Sequence, residues 1–232
     1  MSERVLITGC SRGIGLALAE EFARKGYRVF ATARSPQCSE LEALVLKWRN
    51  VTTLPLDVRD NATIARATRI LPDNEGLDLL VNNAAIFPGT GDEPFELLDP
   101  ESFNEAFDCN VTGVARVTRA FLPHLRKSSN ARIVNFSSGA GSIAEKEDSS
   151  YYPYSVSKAA LNMLTRALAA ELRSSGIVMT AISPGWVRTE MGGPGAPLTP
   201  QESANSLLGT IAGLTIEQTG KFLGRDGQPY VW

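Results

Sequence analysis

Residues 4–18 read RVLITGCSRGIGLAL, and their order decides the fold. Val5, Leu6 and Ile7 form a short apolar run, Thr8, Gly9, Ser11, Gly13 and Gly15 interrupt it, and Ile14, Leu18 and Phe22 then recur at helical spacing. This is the pattern of a buried strand, a tight turn and a helix. Such a turn presents backbone N–H groups at a helix N-terminus, where unpaired donors and the positive end of the helix dipole favour an anion, most often a pyrophosphate. Glycine is needed where a Cβ would strain the turn or keep phosphates at a distance. The spacing is Gly-x-x-x-Gly-x-Gly rather than Gly-x-Gly-x-x-Gly, so a dinucleotide cradle and a plain glycine turn both fit it.

The chain of 232 residues can form one large α/β domain or two small ones, and 43% hydrophobic content suffices for a core. A net charge of −2 gives no basic field for nucleic acid or an acidic membrane. The first apolar run begins at once, which leaves no room for a signal peptide, and no run is long enough to span a bilayer. A cytoplasmic location is therefore expected. Cys10, Cys38 and Cys109 are odd in number and lack metal-type spacing, as expected of reduced thiols. The single histidine, His124, lies three residues after Phe121 in a helical run. It reads as a packed or helix-terminal residue, and neither a metal site nor a Ser-His-Asp triad is expected.

Farther along, residues 28–33, 51–56, 77–81 and 132–138 read as strands, and residues 39–47 and 61–70 as helices between them. Repeated strand-helix units imply a doubly wound parallel sheet in a single α/β domain of Rossmann type, with helices on both faces and ligands at the carboxyl ends of the strands. The second strand ends in Ala33-Arg34-Ser35, without the carboxylate that would accept from a free ribose 2′-hydroxyl. Arg34, with Arg12 inside the glycine turn, favours a 2′-phosphate. Alternatively, Arg34 is a solvated strand-end charge.

Asp57, followed by Val58, either accepts from an adenine amino group or caps a helix with Asp60 nearby. Asn82 and Asn83 can brace the sheet by side-chain to backbone bonds, with Ala84 leaving space for a ligand. Residues 101–125 have the amphipathic pattern of one long helix, with Asn110 on or beside its apolar face. A buried amide there is either a hydrogen-bonding plug or a water-holding catalytic group.

After the fifth strand, Ser137-Ser138-Gly139 leads to Tyr154-Ser-Val-Ser-Lys158, and leucines then recur at helical spacing. Tyr154 and Lys158 are four residues apart, on one helix face. Together with residues 8–15, Asp57, residues 82–84, Asn110, Ser138 and Pro184-Gly185, this arrangement resembles the short-chain dehydrogenase/reductase family over nearly the whole chain. The segment Pro-Gly-Trp-Val-Arg-Thr-Glu-Met-Gly-Gly and the terminal residues 227–232 are similar to the branch of the C-factor and sniffer-type carbonyl reductases. Ala85 stands where the family usually has glycine.

The resemblance implies an NADP(H)-dependent oxidoreductase that reduces a small aldehyde or ketone, and a homodimer or homotetramer. It makes Tyr154 the proton donor and Ser138 the partner of the carbonyl. Lys158 binds the nicotinamide ribose and biases the tyrosine, and Asn110 holds a water linking Lys158 to solvent. The cofactor-binding set is Thr8, Gly9, Ser11, Arg12, Gly13, Ile14, Gly15, Arg34, Asp57, Val58, Asn83, Ala84, Ala85, Tyr154, Lys158, Pro184, Gly185, Val187 and Thr189, the last through the carboxamide. Ser138 is preferred to Ser137 on the resemblance alone, because adjacent strand residues point to opposite faces.

Lowering a phenol pKa from near 10 to about 7 takes roughly 4 kcal/mol, comparable to an ammonium about 4 Å away at an effective dielectric of about 20. Substrate choice is expected in residues 87–94, 139–153 and 185–200, the last as a lid. Trp186, Met191, Phe87, Ile143 and Tyr152 suggest an apolar cleft. Two rival functions are a dinucleotide-binding regulatory protein with little turnover and an NAD-linked alcohol dehydrogenase.

Overall fold

The computed structural model describes residues 2–71, 75–89 and 91–232. Thr90, within the expected specificity segment 87–94, lies outside the described residues. Seven strands, β1 (Arg4–Ile7), β2 (Arg28–Ala33), β3 (Val51–Pro55), β4 (Leu79–Asn82), β5 (Arg132–Phe136), β6 (Val178–Ser183) and β7 (Phe222–Gly224), form one sheet in the order β3-β2-β1-β4-β5-β6-β7. Every neighbouring pair is parallel. The order reverses between β1 and β4, so the loops leaving these strands part and open a crevice.

Alternation along each strand distributes the apolar side chains to two layers. Val5 and Ile7 pack with Leu18 and Phe22 of α1 (Gly13–Arg24), Leu41 of α2 (Ser39–Lys47) and Leu207 and Ile211 of α7 (Pro200–Ala212). Leu6 faces the other layer, with Ile64 of α3 (Asn61–Thr68), Phe121 of α5 (Val114–Leu125) and Leu172 of α6 (Tyr152–Leu172). Both faces of the sheet are covered, which is why its strands read as continuous apolar runs. Burying a side chain such as Phe22 or Phe121 contributes about 2–3 kcal/mol. Among the described residues no helix is long and apolar enough to cross a membrane.

The helix expected over residues 101–125 is not one α-helix. It is divided into α4 (Glu101–Phe107), a π-helical segment (Asp108–Gly113) and α5. The π-type segment is a single wide turn inside an otherwise α-helical apolar stripe, too short to break the sequence pattern. It lets Gly113 approach Val58, whose Cγ2 would lie 2.8 Å from a Cβ at residue 113. Tyr152, expected to line an apolar cleft, is the first residue of α6 and packs edge-on against Phe95. α7 begins with a capping box in which Thr199 and Glu202 satisfy each other's backbone donors.

The start of α1 against β1 is the tightest point. A Cβ on Gly15 would lie 2.4 Å from the Gly9 carbonyl oxygen and 2.5 Å from Asn83 Nδ2. That amide is itself pinned, donating to Thr8 O at 2.7 Å and Gly9 O at 3.0 Å. Gly15→Ala must therefore push the helix off the turn. It is expected to destabilise the fold by about 1–3 kcal/mol, read in thermal unfolding as a Tm lower by about 2–10 °C.

Candidate active site

Gly9 and Gly13 adopt φ of 72° and 60°, the left-handed region that a side chain resists. A Cβ on Gly9 would meet Ala84 Cα at 2.9 Å, so the turn and the loop after β4 close on each other. Arg12 is the N-cap of α1 in extended backbone, no side chain caps the helix, and its first turn holds no acidic residue. The N-terminus is thus left with donors for an external anion. Thr8 is buried, and its hydroxyl accepts from Asn83 N and Ala84 N, both at 3.0 Å. It shapes the turn from below.

A cavity of about 640 Å³ runs over the carboxyl ends of the strands from β3 to β6. Gly9, Ser11, Arg12, Gly13, Ile14, Gly15, Arg34, Asp57, Val58, Asn83, Ala84, Ala85, Tyr154, Lys158, Pro184 and Thr189 line it. Thr8, Ser138, Gly185 and Val187 do not. Gly185 turns at φ 85° against Leu198, and Val187 is buried in a bridge to the same leucine. Phe87 and Met191 also line the cleft. Ile143 and Trp186 stay exposed, and the Trp186 indole donates to Gly192 O at 2.7 Å. An uncapped helix N-terminus, glycines where a Cβ would obstruct, and a cleft of this extent fit an adenine dinucleotide. Among the described residues no cluster of three or more His, Cys, Asp or Glu side chains could hold a metal ion.

At the β2–β3 end the Asp57 carboxylate is held by Arg59 and does not cap the helix. It accepts from the Arg59 guanidinium through both oxygens, at 3.3 and 3.2 Å, and from Arg59 N at 2.9 Å. The helix cap is Asp60, which accepts from Ala62 N. Burial pushes the Asp57 carboxyl up, but bonds from Arg59 and the charges of Arg59 and Arg34 hold it below its ordinary value. Arg34 is exposed and, among the described residues, in no ion pair.

At the other end Tyr154, Ser138 and Lys158 meet. The Ser138 hydroxyl is hydrogen-bonded to the Tyr154 phenol and also accepts from Ala140 N at 3.2 Å, whereas the buried Ser137, which lines the cleft, has its hydroxyl 3.5 Å from Lys158 O. Lys158 Nζ donates to Phe136 O at 2.7 Å and lies 5.5 Å from the centre of the Tyr154 ring. Burial pushes the phenol above its ordinary value, with the Ser138 bond opposing, and pushes the lysine down to about 8. The expected depression of the phenol by the ammonium is therefore not the governing effect. The lysine is tethered to a carbonyl, and desolvation acts on both groups against their charged forms.

Asn110 is fully buried and does not line the cleft. Its carbonyl accepts from Ile86 N at 2.9 Å, and its amide donates to Ile86 O and Ser157 Oγ, both at 3.0 Å. Both amide protons have protein acceptors, so the side chain is a plug tying the π-helical segment to the loop after β4 and to the residue before Lys158. Arg59, Cys109, Ile86 and Glu190, none of them among the expected site residues, also line the cleft. Only Arg59 had a local signal, the Asp-x-Arg turn in which Asp57 accepts from the amide two residues on. Glu190 reaches the site by pairing with Arg12 across the cleft.

The model of the short chain dehydrogenase family matches residues 3–196. The C-signal protein of Myxococcus xanthus is 38% identical over 159 residues, 67% of this chain and 93% of that protein. The carbonyl reductase Sniffer of D. melanogaster superposes with a TM-score of 0.94 at 31% identity, covering 100% of both chains. An NADPH-bound carbonyl reductase from chicken fatty liver gives a TM-score of 0.91 at 33% identity over 100% of this chain and 99% of that one.

The Lys158 burial has a measurable consequence for stability. With a folded pKa of about 8 against 10.5 for the free side chain, the unfolded chain binds more protons between these values, so stability rises with pH across that window. The penalty is complete below about pH 8. Unfolding of the wild type and of Lys158→Met, compared at pH 7 and pH 10.5, should therefore differ by about 2–3 kcal/mol in favour of the wild type at the higher pH.

Proposed function

The chain belongs to the short chain dehydrogenase family of oxidoreductases, and on that premise we propose that it is an NADPH-dependent reductase of a small aldehyde or ketone. One observation carries the reading: a single cleft joins the anion-binding glycine turn to Lys158 and to Tyr154, whose phenol is hydrogen-bonded to Ser138. A protein that only sensed a dinucleotide would need the turn but not a proton donor at its far end. NADP(H) is supported by Arg34, Arg12 and Arg59 around the β2–β3 end, and by the NADPH in the chicken fatty liver enzyme.

When bound, the reduced nicotinamide would supply the hydride. The phosphates would be held by backbone N–H groups of residues 11–15, the 2′-phosphate by Arg34 and Arg12, and the nicotinamide by Lys158, Pro184 and Thr189. Tyr154 Oη delivers the proton to the carbonyl oxygen, and its raised pKa keeps it an acid at neutral pH. Ser138 Oγ orients the phenol and offers a second hydrogen bond to the oxygen as charge develops on it. Lys158, fixed by Phe136 O, places a cation under the tyrosine ring. Asn110 acts as a positioning residue through Ile86 and Ser157. The loop of residues 185–200 closes one side as a lid. Exposed Val156 and Met163 on α6 offer a surface for a second copy.

A panel of carbonyl compounds followed by NADPH absorbance tests the activity. Tyr154→Phe should keep NADPH affinity while kcat falls about 10²–10⁴-fold, the usual share of a general acid; near-wild-type turnover would exclude the assigned donor. Arg34→Asp should weaken NADPH binding about 10–100-fold, as expected for loss of a charged hydrogen bond to phosphate, with NADH much less affected. Unchanged NADPH affinity in a calorimetric titration would remove Arg34 from the cofactor site.

A further inference from the structure

We propose that Glu190 is an internal competitor for the 2′-phosphate, holding Arg12 until NADP(H) displaces it, so that cofactor choice includes breaking this ion pair. The inference rests on the cofactor reading above. Arg12 Nε lies 3.1 Å from Glu190 Oε2, with the two side chains 68% and 74% exposed. Both line the cleft. Arg12 starts from the N-cap of α1, a backbone position fixed by the glycine turn.

Glu190 is presented from a loop that is braced within itself. Arg188 N donates to Leu198 O at 2.7 Å, Gly192 N donates to Thr189 Oγ1 at 3.1 Å, and Gly192 O receives the Trp186 indole. The carboxylate is therefore held at the site by a preformed unit.

The three arginines of the cleft differ in what they must give up. Arg34 is in no ion pair among the described residues, and Arg59 is paired with Asp57 two residues away. Only Arg12 is paired across the cleft. A carboxylate and a phosphate dianion on one guanidinium repel each other, so the approach of a 2′-phosphate favours release of Glu190. NAD(H), with a hydroxyl at that position, brings no anion to exchange. The same carboxylate thus raises the threshold for the phosphorylated cofactor and ties the lid loop to the glycine turn until that cofactor arrives.

The test is a double-mutant cycle of Arg12→Ala and Glu190→Gln, with Kd for NADPH and NADH measured by calorimetry on the full chain. Both sites are exposed, so the variants should fold. Glu190→Gln should tighten NADPH about two- to fivefold, the range an exposed ion pair can carry. NADH should change by clearly less, and the gain should vanish when Arg12 is already alanine. Unchanged or weakened NADPH binding, equal tightening of both cofactors, or a gain that persists without Arg12 would each overturn the competition. A wild type that fails to prefer NADPH would overturn the cofactor reading and this inference together. Preference for NADPH with an inert Glu190→Gln would overturn this inference alone.

Discussion

The absence of a side chain at Gly15 is the constraint on which the rest depends. It lets the first turn of α1 sit directly on the Gly9 carbonyl, while Asn83 reaches across from the end of β4 to bond Thr8 O and Gly9 O. These contacts tie together the two strands between which the sheet order reverses. A crevice opens at such a reversal in any doubly wound sheet. Here one amide and one missing methyl group set its floor, aim the α1 N-terminus into it, and fix where Arg12 begins.

At the other end of the crevice, desolvation rather than charge pairing governs Tyr154 and Lys158. Burial raises the Tyr154 phenol and lowers Lys158, so both groups are pushed toward neutrality. An ammonium directed at the phenol would have made a tyrosinate easier to form, which suits a base. Lys158 is directed at Phe136 O instead, and the phenol is hydrogen-bonded to Ser138. A protonated phenol with an oriented O–H is the form that reduction of a carbonyl requires.

Behind these groups lies a polar spine buried between sheet and helices. Asn82 Nδ2 donates to Asn135 Oδ1 at 2.8 Å and to Thr118 Oγ1 at 3.2 Å, and Asn135 donates on to Thr165. Asn82 Oδ1 is buried without a protein partner among the described residues. An unpaired buried oxygen costs about 1–3 kcal/mol, against which the spine joins β4, β5, α5 and α6 in one register. Asn110 extends the same strategy toward the Tyr154–Lys158 end of the cleft, and the π-helical segment supplies the wider turn that carries it.

The sequence by itself determined the layer architecture, because strand and helix periods are local and the glycine turn is contiguous. It also brought Tyr154 and Lys158 to one face, since a four-residue spacing on a helix needs no tertiary information. The orientations of Ser137 and Ser138 were not legible: both lie beyond the end of β5, where alternation stops, and only the approach of α6 separates them. Asp57 was visible as a strand-end carboxylate, but its capture by Arg59 depends on how the β3–α3 turn closes.

The break in the 101–125 helix and the plug at Asn110 depend on packing against Val58, Ile86 and Ser157, groups remote in the chain. The Arg12–Glu190 pair is the extreme case. Its members have no local signature, because the Coulomb interaction depends on distance in space alone, and only the folded loop of residues 185–200 brings the two charges together.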